Sequence, residues 1–520
     1  MSASTHLIPP TVKQRLRALK LALLAAALAL PLAVTAATHA ALPNLGDPGD
    51  MSLSAERALG DRIAREIYRD PDYIDDPLLA EYAQSIWHPL LAAARLRGEI
   101  SAEMDERLAL EVLLVRDRSV NAFALPGGYM GVHLGMIGIV ANRDELASVL
   151  GHELSHITQR HISRVVAKQN QQTPWLLGAM ILGVLAASKS PDAASALLTG
   201  GQALAIQNQL NFSRDMEREA DRVGFGVMSQ AGFEPQAFAS MFDKLQQSTR
   251  LSDSGAYPYL RTHPLTTERI GDVQARLPHG AAGAALLSAG LTPSHAMIAA
   301  RARVLANPST DALRLWQDEA QALTFEGLEP TRKMAALTSA ILANIKLRDF
   351  ARAGPLLARL QPLAAGDAGA GRLARLLAAE LALAQDDGTA AMALLGEGTT
   401  TERPELLLQA QAQVRTGRAK LAAQSLQTWV VAHPRDASAW MLLASAYNAL
   451  GQTVGAVRAE AEAQVAQLDY PGAIARFKAA QARIKGDGAG RSAGDHIEAS
   501  IIDTRTREVE LLLREQVPER

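Results

Sequence analysis

Between Leu53 and Ala94 apolar residues recur every three or four positions, the period of helices with one buried face. At Ala109–Arg116 the pattern becomes that of a strand. Asn121–His133, NAFALPGGYMGVH, then reads as a hairpin turning at Pro126-Gly127-Gly128, because Pro and Gly supply the backbone angles of a tight turn. Helical spacing resumes at Asp144. It covers most of Phe212–Leu277, with breaks at Gly232 and the Pro258–Pro264 region. A second apolar run, Trp175–Ala187, ends at the turn-like SKSPD. Thirteen residues are too few for a bilayer, which needs about 20. A buried or lid-like helix and an interfacial loop in peripheral membrane contact are the two readings left open.

The stretch PHGAAGAALLSAGLTPSH marks a change of composition, and from about residue 296 the chain repeats itself. Gly417 and Gly451 are 34 residues apart, as are Ala422 and Ala456. Trp440, Leu443, Ala444, Tyr447 and Gly451 fit the pattern of a tetratricopeptide (TPR) repeat, with Pro434 closing the preceding unit. Looser helix pairs fall near 331–360, 372–395 and 456–482, and Ile497–Glu515 reads as an amphipathic capping helix. Small residues let paired helices approach while large ones fill the gap, so such a stack buries one continuous core and offers a concave binding face. An ordinary helical bundle is the alternative. The expected organisation is a leader at 1–40, a catalytic domain at 50–280, repeats at 296–485 and a capping tail at 486–520.

At the N-terminus, Lys13, Arg15, Arg17 and Lys20 precede the apolar run Leu21–Val34 and a small-residue stretch. This is the build of a secretory signal cleaved after Ala36 or Ala40, with an uncleaved anchor as the alternative. Export implies a periplasmic location. Aromatics are only 4% of the chain while alanine abounds, which favours helices over a β-sandwich. With 52 basic and 54 acidic residues there is no basic field to hold nucleic acid. The absence of cysteine excludes disulfides, thiolate-bound metal and thiol catalysis.

The chemistry centres on His152-Glu153-Leu154-Ser155-His156, an H-E-x-x-H within a helical stretch. Four residues advance a helix by about 400°, which puts both imidazoles on one face, able to share one Zn²⁺. Glu153, turned about 100° from His152, is left to take a proton from the attacking water. Chance would produce the motif about 0.01 times in a chain with this histidine content. A tetrahedral zinc with one open position still needs a third protein ligand. On a continuous helix His161 lies half a rotation from His152, so it is expected to be a solvated surface residue. The segment NFSRDMEREADRVG, 211–224, supplies an acidic helix with Glu217 and Asp221 on one face and Asp215 and Glu219 turned away. Glu217 is the expected third ligand, and Asp221 the acceptor that orients a ligand imidazole.

HELSH, FSRDMEREAD and THPLTTERI together resemble the gluzincins related to the CAAX prenyl endopeptidase, and the match of Glu217 and Asp221 to their E-x-x-x-D pattern carries the zinc-ligand role to Glu217. With the leader and the repeats, the chain looks most like periplasmic members of that group that serve outer-membrane protein assembly. The resemblance implies a mainly α fold: a gluzincin-type zinc metalloprotease domain, helical with a small β-sheet, followed by a TPR α-solenoid. It implies a zinc endopeptidase and chaperone-like factor whose partners are outer-membrane β-barrel proteins, their assembly machinery and unfolded substrates. It further implies that His263 can reach the zinc and silence the enzyme, and that Asn121–His133 supplies an edge strand on which substrate extends. His133 is expected to be structural. A repeat scaffold with a largely silenced protease, or a general periplasmic scavenger, are the alternatives.

Overall fold

The computed structural model describes residues 51–168, 213–251, 257–277, 291–396, 398, 400–486 and 493–516. The expected leader, the run Trp175–Ala187 and most of the boundary stretch lie outside the described residues. The first helical period resolves into two helices, α1 (Leu53–Arg69) and α2 (Pro77–Leu96), each with an N-cap. Ser52 accepts from the Ala55 amide, and Asp76 accepts from Leu79 N at 3.1 Å with Pro77 opening α2. A short α3 (Ala102–Arg107) leads into a three-stranded sheet of β1 (Glu111–Val115), β2 (Ala122–Ala124) and β3 (Tyr129–His133). The strand order is β1-β3-β2, with β1 parallel and β2 antiparallel to β3.

The hairpin turns where the Pro-Gly-Gly triplet places it, with Gly127 and Gly128 at φ 74° and 84°. The Asn121 carbonyl accepts from His133 N, and Leu125 N donates to the Tyr129 carbonyl. Ladder bonds alternate along an antiparallel pair, so Ala122 and Ala124 turn their backbone groups outward, away from β3.

Next come α4 (Leu134–Ile139), α5 (Arg143–Thr158) and α6 (His161–Lys168). Helix α5 is buried on every side from Glu145 to Thr158, so it forms the axis of this part of the molecule. Around it lie α7 (Arg214–Gln230), α8 (Gln236–Leu251), α9 (Tyr259–Thr262) and α10 (Thr267–Arg276).

The remaining chain is a succession of helices packed on their sequence neighbours. They are α11 (Pro293–Ala306), α12 (Thr310–Glu319), α13 (Pro330–Leu347), α14 (Phe350–Ala364), α15 (Ala368–Ala384), α16 (Gly388–Leu395), α17 (Arg403–Arg415), α18 (Ala419–Ala432), α19 (Ala437–Ala449), α20 (Thr453–Ala466), α21 (Tyr470–Gly486) and α22 (Ala493–Glu515). The fold is mainly helical with a small sheet, as the residue pattern implies. No helix among the described residues is long and apolar enough to cross a membrane.

This array is joined to the catalytic part by one continuous core and by an arginine ladder. Helix α11 lies against α4, and buried residues run without a break from Leu78 through Ile137 and Ile298 to Ala412. His295, on α11, is held by Tyr82 Oη at 2.6 Å and the Val140 carbonyl at 2.9 Å. The ladder converges on the start of α2. Arg301 binds Asp76 and Glu380; Arg372 binds Glu81 and Glu405; Arg403 binds Asp75 and Asp436. Glu405 and Asp436 each lie 33 residues beyond their arginine, so two of the three rungs share one spacing, while Glu380 lies 79 residues beyond Arg301. The bidentate forks suit arginine and would not suit lysine.

Arg403→Ala is expected to lower stability by about 3 kcal/mol, because it strands Asp75 and Asp436 without their shared cation. A urea titration reads this as a lower midpoint. Adding Asp75→Ala should then cost much less than Asp75→Ala does alone, since the two residues act as one unit.

Candidate active site and metal centre

Two helices build the site by crossing at glycines. Gly151 on α5 meets Gly224 on α7 so closely that a Cβ on Gly224 would sit 2.9 Å from the Gly151 carbonyl carbon and oxygen. The absence of a side chain at Gly224 allows this approach, and glycine at 151 eases it. It brings His152 and His156 on one helix opposite Glu217 and Asp221 on the other.

Four side chains converge there: His152, His156, Glu217 and His263, all buried, with one ligand atom from each lying within 4.8 Å of the others. His152 Nε2 is 3.1 Å from His156 Nε2 and 3.4 Å from His263 Nδ1. His263 Nδ1 is 3.0 Å from Glu217 Oε1, and Glu217 oxygens lie 3.5 Å from both helical imidazoles. A four-coordinate ion with bonds of about 2.0–2.1 Å puts its ligand atoms about 3.3 Å apart, so this spacing suits a metal. The nitrogen pair makes the same point. His152 Nδ1 faces Asp221 Oδ1 at 2.9 Å and His156 Nδ1 faces His161 Nδ1 at 2.8 Å. With their protons on those outer nitrogens, the two Nε2 lone pairs would repel unless a metal ion or a further proton lay between them.

Glu153 is fully buried beside the cluster. Its Oε2 accepts the outward amide of Ala124, on β2, at 3.0 Å. Its Oε1 points to the cluster, 3.4 Å from His263 Nε2. Burial pushes the Glu153 carboxyl above the usual range. Burial acts on Glu217 in the same sense, but the neighbouring imidazole charges outweigh it and hold that carboxyl well below its ordinary value. At His152, burial disfavours the charged form, yet the contacts with Asp221 and Glu217 prevail and raise its pKa to about 9. His156 goes the other way, pushed well below its ordinary value by burial and by the charge of His152.

Several supporting residues are not evident from sequence spacing. Arg269, in the THPLTTERI segment, binds Asp221 through two nitrogens at 2.7 and 2.8 Å and places Nη1 2.8 Å from Glu217 Oε2. It thus balances two carboxylates at once. Tyr259 packs on His263 with ring centroids 4.7 Å apart. Nothing in the periodicity pairs residue 269 with 221, because they meet only through the packing of α10 on α7. His133 lies away from the cluster, bonded to Ser119 Oγ at 2.9 Å.

His161 departs from expectation. It is fully buried, not solvated, and Glu219, placed on the opposite face of its helix, reaches it at 3.0 Å. The expectation assumed one unbroken helix. Helix α5 instead stops at Gln159, and Arg160 takes the left-handed conformation at φ 52°. That turn swings His161 back beneath His156. Arg160 is held there by Glu56, on α1, at 3.1 Å.

This arrangement is that of a metallopeptidase. The sequence pattern described as Peptidase family M48 matches residues 91–277, which hold every residue of the cluster. The β-barrel assembly-enhancing protease of Yersinia pestis is 31% identical over 454 residues, covering 85% of this chain and 88% of that protein. A Vibrio cholerae relative assigned to the same proteases is 32% identical over 324 residues, covering 61% of this chain and 63% of the relative. The mitochondrial metalloendopeptidase OMA1 of Schizosaccharomyces pombe is 30% identical over 237 residues, 44% of this chain and 63% of that protein. The chain belongs to the β-barrel assembly-enhancing protease family, within the M48 metallopeptidases.

Gly224→Ala should cost about 1–3 kcal/mol, because its methyl group meets backbone that cannot move aside. Gly151→Ala, whose Cβ would sit 3.3 Å from the Gly224 carbonyl oxygen, should cost less. Thermal midpoints and metal bound per chain, measured on both variants, check the order.

Proposed function

We propose that this protein is a periplasmic zinc endopeptidase that acts on outer-membrane β-barrel proteins, degrading misassembled ones and aiding competent ones. The observation that carries the reading is the meeting of His152, His156 and Glu217 around one point with the Glu153 carboxylate turned toward it. Two imidazoles and a carboxylate are a zinc donor set that leaves one coordination position for chemistry. The names of the relatives supply the class of client, and the leader-like N-terminus supports the compartment.

Zinc in that position supplies Lewis acidity to the scissile carbonyl and to the attacking water. Glu153 Oε1 accepts a proton from that water and passes it to the leaving amine. Burial suits it to this work by raising its proton affinity, and the Ala124 N–H holds its other oxygen in place. Asp221, fixed by Arg269, keeps the His152 proton on Nδ1 and the Nε2 lone pair free. Substrate adds in extended form along the edge of β2, beside the Ala124 N–H that Glu153 already occupies. No acyl-enzyme forms, because no side chain acts as nucleophile.

His263 occupies the fourth corner and contacts Glu217 and Glu153 together, so it stands where substrate and water must bind. It is the silencing residue in this reading. The TPR-like array is the docking face for clients or their assembly machinery. The contact of His263 with Glu153 also favours the second reading, a repeat scaffold whose protease is mostly off.

Casein cleavage and zinc content, measured together on three chains, test the assignment. Glu153→Gln should keep its zinc and lose about 10²–10⁴-fold in rate, the usual size of a general-base contribution. His263→Ala should keep zinc and cleave faster than the unaltered chain. Zinc absent from all three and no cleavage by any would sink the enzyme and leave the scaffold.

A further inference from the structure

The two helical imidazoles are oriented by different devices. His152 has a carboxylate, Asp221, directly behind it. His156 has a second histidine at its Nδ1. His161 Nδ1 lies 2.8 Å from His156 Nδ1, and His161 Nε2 lies 3.0 Å from Glu219 Oε2. Glu219 is held in turn by Arg164 at 2.6 Å.

For a neutral His161 behind a metal-binding His156, proton placement along this row is fixed. A carboxylate only accepts, so the His161 proton sits on Nε2 and is donated to Glu219. His161 Nδ1 then carries a lone pair and accepts the proton of His156 Nδ1. His156 Nε2 is left bare and faces the cluster. The chain Glu219–His161–His156 thereby does through one extra ring what Asp221 does for His152 directly.

We propose that His161 and Glu219 are positioning residues that set the tautomer and ring plane of His156, acting as a carboxylate–imidazole relay behind a metal ligand. The proposal rests on the reading of His156 as a ligand. The relay depends on the left-handed Arg160, because a continuous helix would carry His161 to the other side. It also ties the grip on the metal to the junction of α5 and α6, where Arg160 is anchored by Glu56 and Arg164 by Glu219.

The test is the affinity of the full-length metal-free chain for Zn²⁺, in competition with a chromophoric chelator, alongside the absorption spectrum of the Co²⁺ form. His161→Phe keeps ring volume and removes both nitrogens, and should weaken Zn²⁺ binding about 10–100-fold, the usual effect of losing such a partner. His161→Gln retains one acceptor and one donor and should recover most of the loss. Glu219→Ala, at a partly exposed site where folding is not at risk, should weaken binding in the same direction by a smaller factor. Both weakened variants should show an altered Co²⁺ spectrum while the thermal midpoint of the metal-free form stays near that of the unaltered chain. Zn²⁺ affinity unchanged in Glu219→Ala and in whichever His161 variant folds overturns the relay. A His152→Ala control separates the two failures. If it loses Zn²⁺ while the relay variants do not, only the relay falls; if it binds Zn²⁺ like the unaltered chain, the metal centre itself falls.

Discussion

The contact on which the site depends is the backbone crossing of α5 and α7 at Gly151 and Gly224. Ligand atoms must stand within a few tenths of an ångström of their places, and side chains on two separate helices achieve this only if the helices cannot slide. At this crossing the two backbones lie in direct contact, which sets how closely the two helices approach. The H-E-x-x-H face and the Glu217–Asp221 face are then brought together by the same geometry. Each is about one turn of helix; the histidine face begins next to Gly151, and the acidic face lies three to seven residues before Gly224.

Around that fixed point the charges are arranged in balance. Two imidazoles, a third imidazole from the loop after α9, and three carboxylates share a volume nearly closed to water. Such a group would be costly to bury unless positive and negative members alternated and found partners. Arg269 serves Asp221 and Glu217 together, and His263 lies between Glu217 and Glu153. The same alternation shifts the protons of the cluster, raising Glu153 by burial and lowering Glu217 by neighbouring positive charge. Two glutamates of similar burial thus differ in proton affinity, one shifted up and one shifted down.

The helical array is not a loosely tethered appendage among the described residues. The core passes unbroken from α2 and α4 into α11 and beyond, and three arginines of the array reach Asp75, Asp76 and Glu81 at the start of α2. Because Asp76 also caps α2, a shift of Arg301 is felt at the helix N-terminus, and α2 packs directly on α5. A physical connection therefore runs from the repeats to the axis that carries the histidines.

What the sequence by itself determined is whatever depends on neighbours a few residues apart. The helical period, the Pro-Gly-Gly hairpin, the 34-residue repeat and the shared face of His152 and His156 are all local consequences of backbone geometry. They were legible for that reason. Even Glu217 could be read from an acidic face one turn long, once an incomplete H-E-x-x-H required a partner. The placement of His161 was misread because a single residue, Arg160, leaves the helical conformation. Its stabilising contact, Glu56, is 104 residues away. Arg269 and the glycine crossing escaped for the same reason, since they acquire meaning only when α7, α10 and α5 meet. Helix faces follow from sequence spacing alone. Which faces meet, and which buried charges then balance one another, was decided by tertiary packing, because Coulomb and steric forces act through space without regard to distance along the chain.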